Sequence, residues 1–395
     1  MRILYHHRIG SKDGQYVHIR EVVAALQAQG HEVRVVGPGG FEDRPFGGES
    51  GLVARLKQFV PAAFYEILEF GYNLLDYRRL AAEIRRFRPD VIYERYNLYL
   101  LSGVLARRAF RLPLLLEINA PLYEERSAYG GLRLKRLARW AERQAWRKAD
   151  RIFTVTHVLA QHITAAGVAA ERVVVTPNGV DLGTFPRSLP VYARREALGI
   201  DTPLVVGFVG FAREWHGLDA VIRLLAARPQ SHTFHFLLVG DGPACEGLRR
   251  QAAATGVAHR VTITGLIERE QIADYVRVFD IALQPAVVAY ASPLKLLEYM
   301  ASSCAIVAPD AANIKELLID NENALLFDTG ATRGFETAVM RLLEDGSLRE
   351  RLGRSARATV ESRDLTWACN ARCIASTAGE LLAGRRDRQP AWSRR

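Results

Sequence analysis

Short apolar runs recur along the chain and alternate with longer stretches of helical periodicity. The first half holds RILYHH, VRVVGP, VIYER, PLLLEIN, RIFTVT and RVVVTPNG. The second holds LVVGFVG, FHFLLVGDG, RVTITG, IALQPA, AIVAPD and ALLF. Between them, segments such as QYVHIREVVAALQAQG set Val17, Val22, Ala25 and Leu26 on one helical face. Strands that alternate with amphipathic helices predict parallel sheets covered on both sides, an α/β class. Each half carries enough runs for a complete doubly wound sheet.

The two halves meet in TPNGVDLGTFPRSLP, residues 176–190, with three prolines, two glycines and the turn-forming pair Asn178-Gly179. A linker there predicts two Rossmann-like domains, residues 1–184 and 185–368, with the carboxyl ends of both sheets facing a cleft. A single wide sheet is the competing arrangement. The total of 395 residues agrees with two cores rather than one.

Composition narrows the class. A hydrophobic content of 49% and a charged content of 24% are those of a soluble globular protein. MRILYHHRIG is too short for a signal peptide and reads as a first strand. No run of 18 uncharged apolar residues appears; the nearest, 59–75, is broken by Pro61, Glu66 and Glu69. Four cysteines in no metal-binding spacing read as free thiols, and the expected location is cytoplasmic, peripheral to the inner face of the membrane at most. Net charge is +10. Part of it lies in a low-complexity basic tail, 386–395, and part in GLRLKRLARWAERQAWRKAD, residues 131–150. There Arg139, Arg143 and Arg147 recur every four residues, opposite Leu134, Leu137, Ala141 and Ala145. This stripe is either a solvated helix face or a contact for an anionic membrane surface. No nucleic-acid motif accompanies it, so nucleic acid is not an expected partner.

The stretch SPLKLLEYMA, residues 292–301, carries the clearest chemistry. Ser292 suits an N-cap and Pro293 the first helical position. The N–H groups of Leu294 and Lys295 then lack helical partners, and the positive end of the helix dipole stands behind them. Lys295, one of six lysines in an arginine-dominated chain, adds a full charge. Glu298 lies one turn deeper on the same face, and an acceptor-only carboxylate suits the two hydroxyls of a ribose. Diphosphate at the helix tip and ribose behind it describe a nucleotide-linked donor. An exposed Lys295–Glu298 salt pair is the plain alternative.

With these residues in view, SPLKLLEYMASSCAIVAPD resembles the donor-site helix of family 4 glycosyltransferases, nucleotide-sugar-dependent enzymes of the GT-B fold (the SPLK branch). DGQYVHIREVVAALQAQGHEVRVV resembles the family's first glycine loop and helix, with Gly14 at the loop glycine. TPNGVDLGTF resembles its interdomain linker, VGDGP a second-domain strand end, and ITGLI, with Leu266 and Ile267, the loop that meets the base. The likeness spans most of residues 1–368. It implies that the segment after it, 369–385, is a helix that crosses back to the first domain, with Trp367 as a buried anchor.

The sequence also departs from the family pattern. Tyr290 stands where many relatives carry the first of two glutamates, which removes any guess at the donor sugar. In GFAREWHG, Phe211 and His216 replace the usual Arg and Lys; Arg213 is the candidate for the missing charge and His216 for a phosphate contact. Asn119 stands where the family often has His; it can hold a hydroxyl of donor or acceptor but cannot act as an acid or base. His18, near Gly14, is the candidate on the acceptor side. The resemblance implies a retaining transfer from a nucleoside-diphosphate sugar to a lipid-linked or saccharide acceptor, in surface polysaccharide or glycolipid synthesis. The leaving phosphate takes the acceptor's proton, and Lys295, Arg213 and the helix start neutralise its charge, so no metal or cofactor is expected. The competing functions are an epimerase of similar fold and a catalytically degenerate partner subunit.

Overall fold

The computed structural model describes residues 1–10, 14–38, 60–128, 131–185, 191–228 and 234–387. The chain forms two compact units, Met1–Pro177 with Trp367–Arg395, and Asn178–Thr366. Residues 388–395 of the expected tail and 11–13 of the first glycine loop lie outside the described residues.

All twelve apolar runs form strands. The first unit holds β1 (Arg2–His6), β2 (Glu32–Val36), β3 (Val91–Arg95), β4 (Leu114–Ile118), β5 (Arg151–Thr154) and β6 (Val173–Val175). They make one parallel sheet in the order β2-β1-β3-β4-β5-β6. The second unit holds β7 (Val205–Val209), β8 (His235–Val239), β9 (Val261–Ile263), β10 (Ile281–Leu283), β11 (Ala305–Pro309) and β12 (Leu325–Phe327). Their order, β12-β11-β10-β7-β8-β9, is again wholly parallel. A parallel sheet needs a crossover between neighbours, and the amphipathic segments supply it as helices. In the second unit, Val205, Val209, Leu237, Ala282 and Ile306 face one core and Val206, Phe208, Phe236, Leu238 and Ile281 the other. Both sheet faces are therefore buried, which is why the runs lack polar alternation.

Each order reverses once, between β1 and β3 in the first sheet and between β7 and β10 in the second. At such a switch point adjacent connections leave to opposite faces, and the carboxyl ends of the strands open a crevice. The second-unit reversal sets the position of the candidate site.

The last helix, Trp367–Asp387, belongs to the first unit, where it packs on the helix Gly14–Ala28. Trp367 is buried, its ring edge-on to His18 with centroids 5.1 Å apart. Gln29 Nε2 donates to the Ala368 carbonyl at 2.7 Å, and Arg385 to the Arg111 carbonyl at 2.6 Å.

Candidate active site

Beyond the carboxyl end of β7 the chain turns through Gly210, and beyond β8 through Gly240 and Gly242. All three adopt positive φ. A Cβ on Gly240 would lie 2.2 Å from the Gly210 carbonyl oxygen, so the two loops touch backbone to backbone. Gly210 N–H donates to the Val239 carbonyl at 2.9 Å, and Ala212 N–H to that of Asp241 at 2.7 Å. The loop after β9 joins them, since Gly240 N–H donates to Thr264 Oγ1 at 3.1 Å. This loop carries exposed Leu266 and half-buried Ile267.

The helix Leu294–Ala301 starts after β10, next to β7 across the switch point. Leu296, Leu297, Tyr299 and Met300 are buried, and Tyr299 OH accepts from Val209 N–H at 2.8 Å, tying the helix to the end of β7. Asn313 Nδ2 holds the approach to the helix, donating to the Val288 and Ala291 carbonyls at 3.1 and 2.7 Å. Ser292 is not the N-cap. Pro293 takes that position, with no side chain on the first turn. The Ser292 hydroxyl instead accepts from Asn178 N–H at 3.3 Å, and its carbonyl from Asn178 Nδ2 at 2.5 Å. The linker asparagine has claimed the cap, so the first-turn N–H groups of Leu294 and Lys295 stay uncovered.

Lys295 brings its ammonium into this space. Its Nζ lies 3.9 Å from the centre of the Phe208 ring, and a Cβ on Gly210 would be 3.2 Å from it. Among the described residues no carboxylate is within ion-pairing distance of it. Burial lowers its pKa from 10.5 to about 7, with the Glu298 charge opposing. The salt pair with Glu298, the plain alternative in the sequence, is therefore not formed. His216 is buried beside the same Phe208 ring, centroids 5.1 Å apart, and stacks on Trp215 at 4.0 Å. Burial first, then the Lys295 charge, lowers its pKa to about 4, so it is neutral at pH 7. Its Nδ1 accepts from Arg213 N–H at 3.0 Å, which leaves Nε2 as the N–H donor. The Arg213 guanidinium is exposed and rests over the Phe211 ring at 5.1 Å.

Glu298 is 4% exposed, but its carboxylate is not open as expected. Oε1 accepts from the Arg269 guanidinium, which reaches across from the loop carrying Leu266 and Ile267. Arg269 was missed from the sequence because only the fold sets its loop against the helix. Its distance from LKLLE in the chain gave no signal.

The first-unit candidates converge on a different carboxylate, Glu117 at the carboxyl end of β4. His18 Nε2 lies 3.0 Å from Glu117 Oε1, and Asn119 Nδ2 donates to the same oxygen at 2.6 Å. Arg95 pairs with it too, and Tyr5 OH donates to Oε2 at 3.2 Å. Burial would raise the Glu117 pKa, but His18, Arg95 and Asn119 together hold it well below the carboxylate range. Sequence reasoning missed Glu117, hidden inside the apolar run PLLLEIN. Gly14 opens the first helix and is exposed. Among the described residues no group of three or more His, Cys, Asp or Glu side chains is placed to hold a metal ion.

Comparison with known proteins fits this geometry. Residues 13–179 match the family model described as a glycosyl transferase 4-like domain, and residues 193–359 the model described as glycosyl transferases group 1. The chain is 28% identical to the alpha-D-kanosaminyltransferase of Streptomyces kanamyceticus over 72% of each chain. It is 27% identical to the D-inositol 3-phosphate glycosyltransferase of Xylanimonas cellulosilytica, over 70% of this chain and 69% of that one. The sucrose-phosphate synthase of Thermosynechococcus elongatus shares the fold with a TM-score of 0.75 at 18% identity, over 97% of this chain and all of that one. The Anabaena protein HepE, solved in complex with UDP-glucose, does so with a TM-score of 0.70 at 21% identity, over 96% of this chain and all of that one. Two family models end to end on two parallel six-stranded sheets place this chain among the GT-B group 1 glycosyltransferases, enzymes that transfer a glycosyl group.

Proposed function

We propose that the protein moves a sugar, with retention at the anomeric carbon, from a nucleoside-diphosphate sugar to a hydroxyl of a lipid-linked or saccharide acceptor. Surface polysaccharide or glycolipid assembly at the inner face of the membrane is the setting this reading favours. The observation that carries it is the Lys295 ammonium, which has no carboxylate partner and lies at the uncapped helix start beside Gly210. A buried, unpaired cation is costly, and a diphosphate is the partner it lacks. The exposed Arg213 guanidinium and the His216 Nε2–H are further donors for the leaving phosphates. Glu298, steadied by Arg269, retains an oxygen for the ribose hydroxyls, and Leu266 and Ile267 offer an apolar surface to the base. In the transfer, the C1–O bond to the diphosphate breaks as the acceptor oxygen bonds to C1 on the same face. The acceptor's proton passes to the departing phosphate, and the fixed cations stabilise the charge that develops there. Asn119 and His18 are both engaged by Glu117, which suits holding an acceptor hydroxyl and not proton transfer. Hydrolysis of a panel of nucleotide sugars, followed by nucleoside-diphosphate release, tests the reading. Turnover of one donor by the wild type and its loss in Lys295→Ala support it; no turnover or binding of any donor refutes it.

A further inference from the structure

The loop after β7, residues 210–217, leaves two aromatic rings half in solvent, Phe211 at 54% and Trp215 at 53% exposure. A lone apolar side chain on a surface needs no explanation. These two differ, because each lies against a polar group of the candidate phosphate site. The Arg213 guanidinium rests over the Phe211 ring, 5.1 Å from its centre. The Trp215 ring stacks on the His216 imidazole, with centroids 4.0 Å apart and planes 29° from parallel. His216 also meets the Phe208 ring edge-on at 5.1 Å, and Lys295 Nζ lies 3.9 Å from the centre of that same ring.

An exposed arginine that nothing holds spreads its charge over many rotamers. Among the described residues no carboxylate pairs with Arg213, so no ion pair aims it. The Phe211 ring does so instead. A flat π face holds a guanidinium by stacking and by attraction to the ring quadrupole, without neutralising it. A carboxylate in that place would aim the arginine and cancel the charge that a departing diphosphate needs. His216 is held in the same manner. Arg213 N–H donates to its Nδ1 at 3.0 Å and keeps the proton on Nε2, while the Trp215 and Phe208 rings set the plane of the imidazole. The stacked indole also shields one face of His216 from water, which favours the neutral donor form beside Lys295.

We propose that Phe211 and Trp215 are positioning residues of the donor site, the first aiming the Arg213 guanidinium and the second setting the His216 ring for the phosphates of a nucleoside diphosphate. The inference rests on reading Lys295, Arg213 and His216 as the leaving-phosphate site. Each ring is tested with and without the group it holds. The measurements are calorimetric titration with inorganic pyrophosphate, the group common to all nucleoside diphosphates, and turnover of the nucleotide sugar that the wild type hydrolyses. Phe211→Leu and Trp215→Leu should each raise Kd about threefold and lower kcat about tenfold, because the charge they serve grows in the transition state. In the Arg213→Gln and His216→Ala backgrounds, respectively, the same changes should have no further effect. Phe211→Tyr and Trp215→Phe keep a ring and should stay near the wild-type values. Losses that multiply in full in those backgrounds mean that the rings merely hold the loop together, and they overturn the proposal. So do unchanged Kd and kcat in the single variants, and so does a wild type that binds no pyrophosphate. Lys295→Ala separates the two readings. If it binds and turns over like the wild type, the phosphate site itself is elsewhere. If it loses turnover while Phe211→Leu and Trp215→Leu do not, only the aromatic positioning fails.

Discussion

The two units share a parallel six-stranded sheet but treat their switch points in opposite ways. Between β1 and β3, His6 faces Glu94 in register, its Nδ1 2.6 Å from that carboxylate and its Nε2 3.0 Å from Asp76. Burial opposes charge on His6, but the two carboxylates prevail and raise its pKa to about 9. Between β7 and β10, Lys295 enters the equivalent space with no anion to meet it, and its pKa falls to about 7. One switch point pairs its cation with internal carboxylates, and the other holds a buried cation with no carboxylate in ion-pairing distance, which is why the donor diphosphate is proposed there. The topological rule locates both places, and the local charge count tells them apart.

The largest effect is expected where the closed crevice is opened. His6→Ala leaves Asp76 and Glu94 buried without their cation and should cost about 3–5 kcal/mol of stability by denaturant unfolding. The sign of the pH dependence follows from the raised pKa. The His6 contribution is complete below the unfolded value near 6.5 and disappears as pH rises through about 9, so the gap between wild type and variant should narrow over that window. Lys295→Ala should do the reverse, leaving the unfolding midpoint near or above that of the wild type. It should lower kcat roughly 10²–10³-fold, by more than it weakens donor binding, because the leaving charge grows in the transition state.

Glu298→Gln should act mainly on KM for the donor, with about 1–3 kcal/mol at stake, since ribose contacts are alike in ground and transition states. Arg269→Ala should move KM in the same direction by less, and Arg269→Lys should restore much of it if the residue works by holding Glu298 in place. A fall in kcat with KM unchanged would remove Arg269 from that role. The smallest effect concerns pH. Below about pH 7 Lys295 is charged with or without nucleoside diphosphate, so it adds no pH dependence to the affinity for UDP there. Above it, binding must take up a proton, and Kd should rise by up to about tenfold per pH unit until the ligand-raised pKa is reached. Calorimetry in buffers of different ionisation enthalpy reads this proton directly. A slope retained in Lys295→Ala would assign it elsewhere.

Much of this molecule was legible because its secondary structure is written locally. All twelve strands coincide with apolar runs, because a parallel sheet buried on both faces admits few polar side chains, and turn residues mark where each run ends. A helix start in SPLK and the charge of Lys295 could likewise be read from neighbouring residues, although the helix begins at Leu294, one residue later than Pro293 suggested. Partnerships between distant segments could not. Asn178 takes the hydroxyl expected of Ser292 as a cap. Arg269 takes the Glu298 oxygen expected to be open, and Glu117 gathers His18, Arg95 and Tyr5 from three other stretches of chain. The helix Ala62–Gly71, which buries Glu66 and exposes Phe64, Ile67 and Leu68, makes the same point, because apolar periodicity shows that a helix has a face but not which way the face points. Only buried partners such as Tyr99 OH and the N–H groups of Arg133 and Leu134 settle that Glu66 goes in and Phe64 stays out. Sequence fixes what each short segment prefers over a few residues, where propensity and capping act. Tertiary structure decides which charges meet, because the cost of a buried unpaired group depends on everything packed around it.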